Sequence, residues 1–244
     1  MSEIAVIIPS RLKAKRLPEK PILKIKNKEM ILHVHDAAKK AGCGEVYVAS
    51  PDDKIIEIIN QKGGKAFKTD ENHQTGTDRI FEVFDKFLKR KPQIIINLQG
   101  DMPNINPGSI VYLANHMKKN ICDVATLASN FHNTLEKKDT NVVKVKVEEK
   151  IKIGDFSKAI DFFREENNSD SEKIYHHIGI YAFTNKALIR YVSLKRSKLE
   201  TDRKLEQMRA LENQMKIDVC YVETCPLSID TEADLKAVRK KMEN

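Results

Sequence analysis

E-I-A-V-I-I-P at 3–9 is a continuous apolar run closed by a proline, and the fold follows from how it is read. A strand that is apolar on both faces is buried on both faces, the habit of parallel sheets. Q-I-I-I-N-L at 93–98 carries the same signature more strongly. Around these runs the apolar period shifts to that of helices. Met30–Ala41 sets Ile31, Val34, Ala37, Ala38 and Ala41 at helical spacing, with Gly42 as its stop. Glu45–Ala49 reads as a strand. Pro51-Asp52-Asp53 opens a helix bearing Ile55, Ile56, Ile58 and Ile59, which Gly63-Gly64 ends. Thr77–Leu88 reads as another helix through Ile80, Phe81, Phe84, Phe87 and Leu88. Strand and helix in this alternation predict β-α-β units: an α/β fold with a mixed, mostly parallel sheet and helices on both faces.

The rhythm changes after about residue 120. V-V-K-V-K-V-E at 142–148 alternates with period two, and I-K-I-G at 151–154 reads as the returning strand of a hairpin. Phe163–Lys173 is polar and acidic, the composition of an exposed loop. Ile174–Phe183 and Lys216–Val222 read as strands, Glu200–Glu212 and Thr231–Met242 as helices. There is no internal repeat and no linker rich in Pro, Gly or Ser. The expectation is one domain over 1–244 with an inserted β-rich element at about 140–200.

The chain has 244 residues, 41% hydrophobic and 32% charged, enough apolar matter for a full core. Its apolar runs fall short of the ~20 residues of a spanning helix, so no membrane insertion is expected. The opening M-S-E-I lacks the pattern of a signal peptide. Cys43, Cys122, Cys220 and Cys225 form no C-x-x-C pair and read as reduced thiols of a cytoplasmic protein. Lys and Arg number 43 against 35 Asp and Glu, a net charge of +8 that suits an anionic partner. The lysines are interleaved with acids, as at 85–91 and 236–243, and no aromatic-basic platform accompanies them, so nucleic acid is not the expected partner. Walker, Rossmann, nucleophile-elbow and zincin motifs are all missing. His33 and His35 are two apart on a helix and face different ways. His176 and His177 are neighbours on a strand, so at most one can look into a given site.

Three segments carry chemistry. P-S-R-L-K-A-K-R-L-P-E-K-P at 9–21 follows the first strand, where open α/β sheets bind ligands. Arg11, Arg16 and Lys20 there suit a polyphosphate; a solvated basic loop reads the same way. L-Q-G-D-M-P at 98–103 follows the strongest strand and offers Asp101 to a Mg²⁺ or, alternatively, as a helix cap. S-I-D-T-E-A-D-L at 228–235 offers Asp230 as a second carboxylate, or as part of a helix start in which Thr231 and Asp234 resemble a capping box.

Together these segments resemble the CMP-Kdo synthetase family, cytidylyltransferases that activate the acidic eight-carbon sugar Kdo for lipopolysaccharide assembly. H-Q-T-G-T-D-R at 73–79, A-T-L-A at 125–128, V-V-K-V at 142–145, H-I-G-I-Y-A-F at 177–183, L-E-Q-M-R-A-L-E at 205–212 and D-T-E-A-D-L at 230–235 extend the match over nearly the whole chain. The resemblance implies CTP and Kdo as substrates, Mg²⁺ as cofactor, and a homodimer formed through the β-rich element. It implies Arg11, Lys20, Asp101 and Asp230 as the catalytic set, with Asp101 and Asp230 on the metal. Pro9, Arg11, Lys20 and Arg79 would hold the nucleotide, and Gln99, His177, Tyr181, Glu206 and Gln207 the sugar. The chain departs from the family at Glu19, where glycine is usual, and at Met102, where an acid is usual. A carboxylate at 19 must point away from bound phosphates. Sialic-acid cytidylyltransferases and sugar-1-phosphate nucleotidyltransferases are the nearest rival readings.

Overall fold

The computed structural model describes residues 3–14, 16–119, 121–165 and 171–243. The chain forms two compact units, Met1–Tyr112 with Pro226–Asn244, and Leu113–Cys225. In the first, β1 (Ile4–Pro9) is buried at all six positions. It leads through a basic loop to a small hairpin, β2 (Lys24–Ile25) and β3 (Lys28–Glu29), and then to α1 (Met30–Ala41). Gly42 ends α1 in the left-handed region, φ 62°, as its position after the last apolar residue predicts. β4 (Glu45–Ser50), α2 (Asp53–Gln61), β5 (Lys65–Lys68), α3 (Gly76–Glu82) and β6 (Ile94–Asn97) follow. β1 lies parallel between β4 and β6, with β5 outside β4. Ile7 is level with Asn97, so the loops leaving β1 and β6 emerge side by side at one edge.

Beyond β6 the chain runs into α4 (Pro107–Met117), and the second unit continues with β7 (Val124–Ser129), α5 (Thr134–Lys138), β8 (Lys144–Val147), β9 (Phe156–Phe163) and β10 (Ile174–Thr184). It ends with α6 (Asn185–Ser193), α7 (Lys198–Arg203), α8 (Gln207–Glu212) and β11 (Ile217–Tyr221). Its strands run in the order β10-β7-β11-β9-β8, and β8 pairs back onto β10. Among the described residues of this unit only β7 and β11 pair in parallel, so the architecture is α/β with a mixed sheet. The chain then returns to the first unit and closes with α9 (Glu232–Glu243). Among the described residues no helix is long and apolar enough to cross a membrane.

Three elements differ from their sequence reading. The helix expected over 77–88 stops at Glu82 and widens into a π-helical turn at Val83–Phe87, where the Leu88 N–H reaches the Val83 carbonyl. The helix expected over 200–212 is two helices, because Lys204 takes the left-handed conformation, φ 55°. The returning hairpin strand is β9 rather than 151–154. Lys152 to Asp155 make a turn instead, with Gly154 at φ 92° and Ile153 exposed. The centre of the predicted acidic loop, 166–170, lies outside the described residues, as does Lys15.

The core beneath α9 decides where the chemistry goes. Leu17, Ile25, Met30, Ile229, Leu235 and Val238 pack into one buried cluster. Burying an Ile or Leu side chain contributes about 1.5–3 kcal/mol. The cluster therefore pins two segments more than 200 positions apart: the basic loop through Leu17, and the approach to α9 through Ile229.

Candidate nucleotide site

The loop after β1 is tied at both ends. The Ser10 N–H donates to the Ala49 carbonyl at 2.9 Å, and the Leu12 N–H to the Asp52 carboxylate at 2.8 Å. The Glu19 N–H then closes the loop onto the Leu12 carbonyl at 3.0 Å. Asp52, read from sequence as a helix opener, makes no side-chain cap on α2 and serves this loop instead. Nothing in the spacing announced that role, because its partner is a backbone group 40 residues away. Glu19 stands in the left-handed region, φ 56°, where a glycine costs nothing and other residues about 1–2 kcal/mol. Its carboxylate is exposed and meets the Lys54 ammonium at 3.3 Å, and Glu19 does not line the cleft described below. The Glu19 carboxylate therefore points out of the cleft.

The loop after β6 carries Gln99, Gly100 and Asp101. Its backbone is gripped by the segment before α9: the Ile229 N–H donates to the Asp101 carbonyl at 3.0 Å, and the Leu227 N–H to Asn104 Oδ1 at 3.0 Å. Met102, where the resemblance leads to an acid, is buried and packs as an apolar side chain. The start of α9 is served by Thr231 and Asp234. The Asp234 N–H donates to Thr231 Oγ1 at 3.2 Å and the Thr231 N–H to the Asp234 carboxylate at 2.8 Å. That box relieves Asp230 of a capping role and leaves its side chain to the cleft. Asp101 caps no helix either; Asn106 Oδ1 accepts the Gly108 N–H at the start of α4.

The result is a cleft of about 350 Å³. Arg11, Lys13, Arg16, Lys20 and Arg79 line it with Pro9, Gln99, Asp101 and Asp230. At its centre the Lys20 ammonium donates to Asp101 Oδ2 at 3.2 Å and to Asp230 Oδ1 at 3.1 Å. Arg16 approaches the other oxygen of Asp230 at 2.8 Å. Burial pulls the Lys20 pKa down, but the two carboxylates outweigh it and hold the group above its ordinary value, so it stays charged. Asp101 and Asp230, 129 positions apart in sequence, thus converge on one cation. A pair of carboxylates beside a basic cleft is also the hard-oxygen donor set that Mg²⁺ uses together with phosphate oxygens, so these two residues fit such an ion.

Gly76 lets the α3 entry approach this floor closely: a Cβ there would lie 3.2 Å from Pro9 Cγ and 3.4 Å from the Gln99 amide, a tight fit. Gln99 donates to Asn97 Oδ1 at 3.1 Å, which orients its amide. Arg79 is buried on the wall of the cleft. It donates to Thr69 Oγ1 and, at 2.9 Å, to the Asp70 carbonyl. Burial and the nearby Arg11 both lower its pKa from the usual arginine value, yet a guanidinium stays protonated.

Glu82 braces the same wall. It accepts from the Asp70 N–H at 2.8 Å, from Lys86 at 2.9 Å, and meets the His73 ring at 2.6 Å. Burial raises its pKa, but these donors prevail and hold it at about 2. A carboxyl whose folded pKa lies below its unfolded value stabilises the fold above the unfolded value, near 4.5, and loses that contribution as pH falls toward 2. Glu82→Gln is expected to lower stability at pH 7 by on the order of 3 kcal/mol. The deficit should shrink steadily below about pH 4.5, as read by urea unfolding across that range.

Apart from Gln99, the residues that resemblance assigns to the sugar lie in the second unit. His177 and Tyr181 are buried on β10, either side of a bulge, with ring centroids 5.6 Å apart. His177 Nε2 is 3.0 Å from Thr126 Oγ1, and Thr126 donates to the Ile180 carbonyl at 2.7 Å. Burial, with a smaller push from His176, lowers the His177 pKa to about 3, so the ring is neutral at physiological pH. Burial first, then the Glu206 carboxylate, drives the Tyr181 hydroxyl well above its ordinary pKa, which puts Glu206 beside this pair. Gln207 is buried at the start of α8. His176 faces the other way, toward Glu136 at 3.4 Å, as strand alternation predicts.

A family model for cytidylyltransferases matches residues 5–217. The chain is 39% identical over 239 residues to the 3-deoxy-manno-octulosonate cytidylyltransferase of Bartonella henselae, covering 98% of each. It is 39% identical over 245 residues to that of Methylorubrum extorquens, covering 98% of this chain and 96% of the relative. Among solved structures it matches CMP:2-keto-3-deoxy-manno-octonic acid synthetase complexed with CTP at a TM-score of 0.89 and 34% identity, with 99% of both chains covered. It also matches the 4-diphosphocytidyl-2C-methyl-D-erythritol synthase of Anaerococcus prevotii at a TM-score of 0.66 and 16% identity, covering 100% of this chain and 99% of the other, a likeness of fold alone.

Proposed function

The chain belongs to the cytidylyltransferase family, and from that premise we propose that it transfers CMP from CTP to Kdo, giving CMP-Kdo and pyrophosphate. The observation that carries this reading is the pair of carboxylates drawn onto one ammonium inside a cleft lined by arginine and lysine. The anomeric hydroxyl of the sugar attacks the α-phosphorus in line; the new P–O bond forms as the bond to the β-phosphate breaks, pyrophosphate leaves, and the hydroxyl proton passes to solvent. Catalysis of this kind is mostly positioning and charge stabilisation. Arg11, exposed at the cleft, offers a forked donor to the triphosphate. Lys20 holds the cation position between Asp101 and Asp230, and turns from them to the departing pyrophosphate when the nucleotide binds. Arg79 keeps the wall of the nucleotide cleft in place. A Mg²⁺ held by Asp101 and Asp230 would supply charge neutralisation and Lewis acidity at the reacting phosphate. The resemblance assigns recognition of the sugar to Gln99, His177, Tyr181, Glu206 and Gln207. A homodimer, working in the cytoplasm on the route to lipopolysaccharide, completes the proposal.

The decisive assay is pyrophosphate release with Mg²⁺, each of four NTPs, and Kdo or sialic acid. Release is expected for CTP with Kdo alone; equal release with sialic acid would overturn the substrate assignment. His177→Gln is expected to raise KM for Kdo by about tenfold, the worth of one hydrogen bond, and to leave KM for CTP nearly unchanged. The reverse pattern would mean that His177 serves the nucleotide. Because the ring is neutral, its contribution should not vary between about pH 5 and 9.

A further inference from the structure

The second unit contains a polar cluster that none of the roles above uses. His116 sits in the last turn of α4, Cys122 just ahead of β7, and Asp218 on β11. All three are buried, and their candidate ligand atoms lie within 4.8 Å of one another. His116 Nε2 is 2.7 Å from Asp218 Oδ2. The imidazole is stacked on Phe156 with centroids 3.4 Å apart, which fixes its plane. Its second nitrogen, Nδ1, is buried with no hydrogen-bond partner among the described residues. Met117 places a thioether sulfur 3.6 Å from Cys122 Sγ.

We propose that His116, Cys122 and Asp218 form a zinc-binding site. A nitrogen, a sulfur and a carboxylate oxygen are the donors zinc takes, whereas Mg²⁺ avoids sulfur and imidazole. The charges close as well. Zinc binds, the Cys122 thiol releases its proton to solvent, and Zn²⁺ with one thiolate, one carboxylate and a neutral imidazole sums to zero. A neutral assembly tolerates burial where an isolated ion does not. Bonds of about 2.0–2.3 Å to a tetrahedral ion put ligand atoms about 3.3–3.8 Å apart. His116 and Asp218, 2.7 Å apart, would move slightly apart to reach that spacing, and all three ligand atoms already lie within 4.8 Å of one another. A water molecule or the Met117 thioether takes the fourth position. The ion would fasten the end of α4 to β7 and β11, a structural role separate from nucleotidyl transfer.

Cobalt tests this directly, because only a thiolate ligand gives an intense near-ultraviolet charge-transfer band. One equivalent of Co²⁺ added to the reduced full chain is expected to produce that band, and Zn²⁺ to abolish it. Asp101 and Asp230 offer no sulfur and cannot contribute to it. Cys122→Ser should remove the band and the zinc-dependent rise in Tm while leaving CTP-dependent pyrophosphate release unchanged. If that variant fails to fold, alkylation of the unaltered chain decides the matter. At free zinc about 100 times the dissociation constant, modification of Cys122 should slow about 100-fold, with the half-buried Cys43 unaffected. No cobalt band, a band that survives in Cys122→Ser, or zinc protection confined to another cysteine would overturn the proposal.

Discussion

Asp101→Ala is expected to lower kcat for CTP-dependent pyrophosphate release by about a thousandfold or more, with Tm nearly unchanged. Losing a cation holder at a reacting phosphate removes several kcal/mol of transition-state stabilisation, and about 1.4 kcal/mol is a factor of ten in rate. The fold should tolerate the change. Asp101 is partly exposed, and Lys20 keeps Asp230 as a partner at 3.1 Å. The split between constants separates two roles. If Asp101 only positioned Lys20, its loss would copy Lys20→Ala, with weaker CTP saturation and a modest fall in turnover. As a holder of the cation it should instead depress kcat and alter the Mg²⁺ dependence. Release within about tenfold of the unaltered chain would exclude the cation-holding role.

Arg209→Ala is expected to destabilise the protein by about 3–5 kcal/mol, because it strands a buried charge. Glu200 is completely buried and Arg209 nearly so. They meet as a two-pronged pair, Nε to Oε2 at 2.8 Å and a terminal nitrogen to Oε1 at 2.7 Å. The guanidinium also lies over the Tyr191 ring, 4.5 Å from its centroid. Burial raises the Glu200 pKa, but the bonds from Arg209 and Arg196 outweigh it and leave the group below its ordinary value. For a chain of this length Tm should fall by roughly 10 °C. Replacing both partners by Glu200→Leu with Arg209→Met should cost less than either alanine alone, since no charge is then left unpaired. The pair joins α7 to α8, next to Glu206 and Gln207. A partly folded Arg209 variant should therefore lose Kdo saturation before CTP saturation. Loss of less than about 1 kcal/mol would show that water reaches the carboxylate.

The legible parts of the fold share one property, that the signal is local. β1 and β6 were readable because a doubly buried strand must be apolar throughout. α1 was readable because its stripe and its glycine stop are contiguous in the chain, from Met30 to Gly42. The broken helix at Lys204 and the π-helical turn at Val83–Phe87 were not readable, because in both the apolar spacing continues through a change in backbone path. The further duty of Asp52, which does stand at the N-cap of α2, was not readable for another reason. Asp before a helix is an ordinary cap, and only the returning loop supplies the Leu12 N–H that claims it instead.

Residue types and their neighbours in the chain determined the α/β alternation, the basic turn after the first strand, and the two acids at strand and helix junctions. What they could not determine is that Asp101 and Asp230 would share one ammonium. That depends on Ile229 and Leu17 burying in the same cluster, a contact set by the free energy of removing apolar surface from water across more than 200 intervening positions. Hydrophobic burial has no direction along the chain. Which polar groups it carries together is therefore settled only when the whole core has closed.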